Sequence, residues 1–281
     1  MIDIHAHILY GLDDGPRSLD ESLAMCCIAQ DDGTQGIVAT PHTGNGIYTN
    51  SRSTIIAMTK ALNLAFCSEI EGRRFEKDDP VGAKREAEET DGRPRREAEA
   101  RASKFPFQIF PGADVGFSFD LPARVERGEV LTLNDGGRFL LLEFPSQAIP
   151  FHSEEVIFQL MAKRIVPIIS HPERNLEISD RPTRFYEMVR MGCLGQVTAM
   201  SLTGGFGREV RRVAERLLAK RLVHFIASDA HSPDRRPPLL SGALREAEKI
   251  VGSEVARRMV IDNPYAILEG RRPNVYTPLP P

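Results

Sequence analysis

Short apolar runs in this sequence end, one after another, in a residue whose side chain can ligate a metal. Ile4-His5-Ala6-His7 opens the chain and leads into Asp13-Asp14-Gly15. Val38-Ala39-Thr40-Pro41-His42 follows, then Leu141-Leu142-Glu143-Phe144, Ile168-Ile169-Ser170-His171, and Phe225-Ile226-Ala227-Ser228-Asp229-Ala230-His231. Runs this short and this apolar read as buried strands. A polar ligand type at the C-terminal end of strand after strand is how a barrel assembles an active site from separate strands. Five of the seven histidines occupy such positions, and the repetition points to a site for several metal ions.

The strand candidates are residues 2–7, 36–41, 107–113, 138–144, 165–170, 194–198 and 222–228. Helical patterns lie between them at 18–32, 51–66, 153–164, 182–191 and 207–220, with a helical pair over 241–260. Ser18 with Glu21 has the form of a capping box, and Ser153 before Glu154 and Glu155 has the form of an N-cap. Strand–helix alternation at this spacing gives βα units and a parallel sheet. Seven such strands predict an α/β fold, a distorted seven-stranded (β/α) TIM-like barrel, with an open sheet as the alternative. A chain of 281 residues suits one domain over 1–281. One segment breaks the rhythm: residues 69–104 are dense in Glu, Arg, Lys and Ala. It reads as a charged insertion, an exposed helix or loop rather than a partner-binding arm. Its acidic residues lack strand context and are left out of the site. The tail, residues 276–281, is expected loose or packed on the surface.

A net charge of −3 and a pI near 6.2 argue against a nucleic-acid binder. The N-terminus has neither a basic region nor a long apolar run, so a signal peptide is not expected. No apolar run reaches the roughly 20 residues that span a bilayer. The four cysteines, Cys26, Cys27, Cys67 and Cys193, have no metal-ligand spacing, which fits a reduced, cytoplasmic protein.

His5 and His7 are two apart on a strand and share one face, so both imidazoles can grip one divalent ion. Asp229 and His231 supply a second such pair. His171 and Glu143 would each be a costly polar group at the end of a buried run unless something binds them. Asp13 fits the turn before Gly15-Pro16, and Asp14 is left as the ligand. Mixed imidazole and carboxylate ligands suit Mn, Fe or Zn better than Ca or Mg. The lack of thiolates argues against a structural zinc site. Several ions held by shared carboxylates can generate hydroxide from water and clamp a phosphoryl oxygen, so phosphate-ester hydrolysis is the chemistry to expect. Arg174, in His171-Pro172-Glu173-Arg174, is the candidate phosphate grip, because a guanidinium recognises phosphate oxygens in a planar, bidentate way. Glu173 is placed to orient it. Gly204-Gly205-Phe206-Gly207 is a loop whose backbone N–H groups are candidates for the same phosphate, with Arg208 beside it as the second candidate arginine. His152 and His224 have no motif context.

These phrases, in this order, resemble the PHP superfamily, named for polymerase and histidinol phosphatase. With Gln196-Val197-Thr198-Ala199 and Ser201-Leu202-Thr203-Gly204 added, they resemble its bacterial branch of manganese-dependent protein-tyrosine phosphatases from capsule and exopolysaccharide operons. The resemblance spans almost the whole chain apart from 69–104. It implies up to three ions, Mn with Fe or Zn as alternatives, in a distorted seven-stranded barrel. One ion would take His5, His7, Asp229 and a bridging carboxylate. A second would take that bridge with Glu143 and His171. The third would take Asp14, His42 and His231. The branch places a glutamate at the bridge; this chain has Asp114, one methylene shorter, in Pro111-Gly112-Ala113-Asp114-Val115.

The function implied is hydrolysis of phosphotyrosine in proteins, linked to capsular or exopolysaccharide regulation, with a phosphotyrosine protein such as a bacterial tyrosine kinase as partner. The alternative enzyme is a small-molecule phosphoesterase such as a histidinol-phosphate phosphatase. A degenerate metal-binding scaffold is a different class, disfavoured by the full set of other ligands. The sequence says nothing of the oligomeric state.

Overall fold

The computed structural model describes the backbone of residues 1–77 and 107–281, and the side chains of 1–70 and 107–281. Nine strands run through it in chain order. They are β1 (Ile2–Ala6), β2 (Gly36–Ala39), β3 (His42–Thr43), β4 (Gln108–Pro111), β5 (Asp114–Gly116), β6 (Phe139–Glu143), β7 (Val166–Ser170), β8 (Leu194–Thr198) and β9 (Phe225–Ala227). All named pairings are parallel. They form a three-stranded sheet, β1-β2-β4, and a six-stranded sheet, β3-β5-β6-β7-β8-β9.

Each of the seven expected positions holds a strand, but the second and third end early, and beyond a break each is followed by a further short strand, β3 and β5, outside the expected bounds. Pro41 sits in the first break and has no N–H to give a ladder. At the second, Gly112 lies so close to its neighbour that a Cβ there would stand 2.6 Å from Val38 Cγ1. Asp114 N–H bonds to Pro41 O across the breaks, at 3.2 Å. The other edge of β1 is met by the residues after β9: Asp229 N–H donates to His5 O and His7 N–H to Ala230 O, both at 2.8 Å.

Alternation along the strands sorts the core into two layers. Phe139 and Leu141 of β6, Ile168 of β7, Leu194 of β8 and Phe225 and Ala227 of β9 form one apolar cluster. Their alternates Leu140, Leu142, Ile169, Val197 and Ile226 join a larger cluster with the helices. Continuing the first series by twos leads from Phe139 and Leu141 to Glu143, from Leu194 to Gln196, and from Phe225 and Ala227 to Asp229. The site residues thus stand at the C-terminal end of the face whose middle is filled with hydrocarbon.

The helix after β3 runs Arg52–Lys77, well beyond the expected end at 66, because the charged residues that follow are good helix formers. The rest of the expected insertion, 78–104, lies outside the described residues. Ser18 caps its helix by accepting the Glu21 N–H, while the Glu21 carboxylate takes the Arg17 N–H and so does not close the box on Ser18. Ser153 is not an N-cap. It is the first residue of its helix, its hydroxyl donates to Pro150 O, and His152, at φ 61°, occupies the cap position. The tail packs on the surface, with Leu279 N–H bonded to Lys220 O at 2.9 Å. Among the described residues, no helix is long and apolar enough to cross a membrane.

Candidate metal centre

The strand ends bring the scattered polar residues to one place. His5 Nε2 lies 3.2 Å from His7 Nε2, 3.5 Å from Asp114 Oδ2 and 3.4 Å from Asp229 Oδ1. His42 Nδ1 lies 3.4 Å from Asp114 Oδ2 and 3.3 Å from Glu143 Oε2. His171 Nε2 lies 3.5 Å from Glu143 Oε1. Asp14 Oδ1 reaches His231 Nε2 at 3.5 Å and His42 Nε2 at 3.7 Å. His5, His7 and Asp114 are fully buried, and Asp229 nearly so. His171 and Asp229 both turn the chain at a strand end in the left-handed region, at φ 33° and 52°, a conformation that costs energy for a non-glycine residue and clusters at functional sites.

The hydrogen bonds behind the cluster fix which ring nitrogens face it. His5 Nδ1 bonds to Gln196 Oε1 at 2.9 Å, and that oxygen also accepts the His171 backbone N–H. His7 Nδ1 bonds to Asp13 Oδ2 at 2.7 Å. His231 Nδ1 bonds to its neighbour's carbonyl, Asp229 O, at 2.9 Å. An imidazole that donates through Nδ1 presents a lone pair at Nε2. Two such lone pairs, on His5 and His7, cannot face each other at 3.2 Å without a cation between or beside them. A proton on His7 can be that cation. Burial alone would lower the His7 imidazole, but the Asp13 and Asp229 carboxylates outweigh it and raise it to about 10. Burial, then the nearby cations, push the other way elsewhere. His171, beside Arg174, falls to about 3, and His231, beside His7 and Arg236, to about 2. Both stay neutral and keep the lone pairs that ligation needs.

The donor set fits metal ions. Ligand atoms about 2.1 Å from a shared ion stand roughly 3–3.5 Å apart, the spacing found here. Both carboxylate oxygens of Asp114, and Nδ1 of His42, are buried without a hydrogen-bond partner, an arrangement that is expensive unless a cation completes it. Among the described residues, three groups could each hold an ion: His5, His7 and Asp229; His7, Asp14, His42 and His231; and His42, Asp114 and Glu143. This differs from the expected partition: His7 is shared by the first and second groups and His42 by the second and third, Asp114 stands in the third alone, and His171 touches the third only through Glu143.

The arginines divide. Arg174 Nη1 donates to Asp229 Oδ2 at 2.6 Å. Arg236, which the sequence reading missed, donates to the same oxygen at 2.5 Å and to Asp229 O at 2.9 Å. Burial would raise the Asp229 carboxyl, but the facing histidines and Arg236 hold it well below the usual carboxylate range. Arg208, by contrast, is exposed at the start of the helix Arg208–Ala219, with no hydrogen bond or ion pair to any of these residues. Glu173 makes no hydrogen bond or ion pair with Arg174. Its Oε1 accepts the Thr198 N–H and the Ser201 hydroxyl, tying the end of β7 to β8. The glycines of the loop after β8 do not offer their amides either, since those of Gly204, Gly205 and Gly207 are spent on Ser201 O, Met200 O and Gly204 O. Asp13 serves as the turn residue expected, accepting the Gly15 N–H, and also holds His7 and the His42 backbone N–H.

A cavity of about 130 Å³ opens beside the cluster, with Glu143, Ser146, His171 and Arg174 in its wall. A larger one, about 370 Å³, lies elsewhere, between Leu218, Met259 and the C-terminal Tyr276 and Leu279. The smaller is the relevant one, because it adjoins the chemistry.

Parallel strands that deliver buried imidazoles and carboxylates to one end define the class: an α/β protein with the ligand set of a metal centre. The family described as capsular polysaccharide synthesis, CpsB/CapC, matches residues 1–74 and 80–269, and the chain belongs to it. Tyrosine-protein phosphatase YwqE of Bacillus subtilis (strain 168) is 31% identical over 271 residues, covering 96% of this chain and 92% of that protein. Tyrosine-protein phosphatase CpsB of Streptococcus pneumoniae is 29% identical over 273 residues, covering 95% and 98%. A crystal structure from work on YwqE and CpsB, called there unique metal-dependent tyrosine phosphatases, aligns at a TM-score of 0.81. Its identity is 31%, over 100% of this chain and 99% of that one.

Proposed function

We propose that this chain is a metal-dependent phosphatase that hydrolyses phosphotyrosine in proteins, acting in the cytoplasm on a substrate such as a bacterial tyrosine kinase in capsular or exopolysaccharide regulation. The observation that carries the reading is the full set of nine ligand-type residues, His5, His7, Asp14, His42, Asp114, Glu143, His171, Asp229 and His231, on a chain similar along nearly its whole length to named tyrosine phosphatases. These residues would hold up to three ions, Mn with Fe or Zn as alternatives. The breaks after β2 and β4 and the hydrogen bonds that join His5 and His7 to the residues after β9 support a distorted seven-stranded barrel as the scaffold, within one domain.

When bound, such ions supply Lewis acidity and lower the pKa of water. The chain's own contribution is binding and orientation. Asp13, Gln196 and the Asp229 carbonyl hold three imidazoles in one tautomer. Arg174 and Arg236 carry two guanidinium groups to the edge of the cluster, where planar donors match phosphate oxygens. A phenolate leaving group departs with little need of a proton, so no general acid has to be found for it.

The test is a direct comparison of substrates with Mn added. A phosphotyrosine peptide, a phosphoserine peptide and histidinol phosphate are supplied at equal concentration and phosphate release is followed. Faster release from phosphotyrosine is expected; faster release from histidinol phosphate would replace this reading with the small-molecule phosphoesterase.

A further inference from the structure

Phe206 is an aromatic residue without an apolar home. It belongs to neither apolar cluster, and its ring is met by charge. The guanidinium carbon of Arg174 lies 4.9 Å from the ring centre and that of Arg236 5.6 Å from it. Both distances fall within the reach of a cation–π contact. The same two arginines share Asp229 Oδ2. Three side chains from three separate loops, after β7, β8 and β9, therefore meet at one point.

The loop that carries Phe206 is built to hold it still. Gly204 and Gly207 have φ of 87° and 93°, which other residues adopt only under strain. A Cβ on Gly205 would stand 2.7 Å from Met200 Cε. The amides of these three glycines are bonded within the turn. What the loop offers to the site is the face of an aromatic ring, not a row of N–H groups.

We infer that Phe206 is a positioning residue for phosphate recognition, a ring against which Arg174 and Arg236 are held as a pair. The inference rests on the phosphatase reading, because it takes a phosphoryl group as the ligand of the pair. Asp229 binds both guanidinium groups. A phosphate dianion draws their N–H groups to its own oxygens, and those bonds are lost to Asp229. The ring face is not displaced by an anion, since its contact uses the flat side of the guanidinium and leaves the in-plane donors free. Phe206 thus keeps the pair aligned in both states, and a rigid pair loses less freedom on binding than two independent side chains.

The experiment uses the full-length protein with Mn and the variants Phe206→Leu and Phe206→Tyr. Two quantities are read: kcat/KM on a phosphotyrosine peptide, and the Kd of inorganic phosphate by calorimetry. Phe206→Leu is expected to lower kcat/KM and weaken phosphate by about tenfold each, the scale of two cation–π contacts. Phe206→Tyr, which restores a ring, is expected within about twofold of the parent, and metal content and Tm should be unchanged in both. In an Arg174→Ala, Arg236→Ala background, Phe206→Leu should weaken phosphate no further. Phe206→Leu equal to the parent in phosphate affinity would overturn the inference while leaving the phosphatase reading intact. Should the parent hydrolyse no phosphotyrosine, that reading fails on its own, and the phosphate Kd still decides the role of Phe206.

Discussion

His42 Nδ1 stands 3.4 Å from Asp114 Oδ2, and neither atom has a hydrogen-bond partner. A carboxylate and an imidazole buried this close without a bond between them are arranged for a third body. Asp114→Asn keeps the shape and removes the charge. In chelator, the variant should unfold within about 1 kcal/mol of the metal-free parent, because no hydrogen bond is lost. The stabilisation that added Mn gives the parent should be reduced. Thermal melts with and without Mn measure both, and a variant that gains as much from Mn as the parent would remove Asp114 from the ion set.

Arg174→Ala should lower kcat/KM by about 10²–10³, on the precedent of single donors to a developing charge, with metal content intact. Arg236→Ala should behave alike, since both arginines meet at Asp229 Oδ2. Arg208→Ala should stay within about twofold of the parent. Steady-state kinetics on one phosphotyrosine peptide ranks the three; a larger loss at Arg208 than at Arg174 would move the phosphate grip to the glycine loop.

Asp13→Asn keeps a carbonyl oxygen for the Gly15 N–H but removes the charge behind His7. Loss of such an orienting carboxylate typically costs 10–100-fold in metal affinity. Competition of the variant and the parent against a fluorescent chelator gives the ratio. Equal affinity would mean that Asp13 only builds the turn.

Much of this arrangement was legible in the sequence, because a polar residue at the end of a buried apolar run is conspicuous. Glu143 after Phe139-Leu140-Leu141-Leu142 and Asp229 after Phe225-Ile226-Ala227 stand out on period alone. Arg236 did not, since Asp234-Arg235-Arg236 has the composition of a plain surface loop, and only the fold turns it back onto Asp229. Phe206 was hidden by its glycines, which drew attention to the amides. The split strands depend on how Pro41 and Gly112 meet their neighbours, which no local pattern records.

Away from the site, His224 couples stability to pH. It is buried, its Nδ1 accepts the Gly195 N–H at 3.0 Å, and burial lowers its pKa from 6.5 to about 4. The unfolded chain therefore binds a proton below pH 6.5 that the folded chain refuses until about pH 4. Its share of stability is whole above that window and is lost as pH falls through it, by about 3 kcal/mol at most. His224→Gln keeps an acceptor for Gly195 and cannot titrate. Denaturant melts between pH 7 and 4 should show a shallower loss for the variant; parallel curves would rule out His224 as a contributor.

The central claim is that the cluster of imidazoles and carboxylates holds the ions on which phosphotyrosine hydrolysis depends. Its most direct test is metal analysis of protein grown with added Mn, coupled to turnover of a phosphotyrosine peptide before chelation, after it, and after Mn is returned. Two to three ions per chain, activity lost on chelation and recovered with Mn, is the predicted result. One ion or none in a protein that hydrolyses the peptide at full rate in chelator would contradict it.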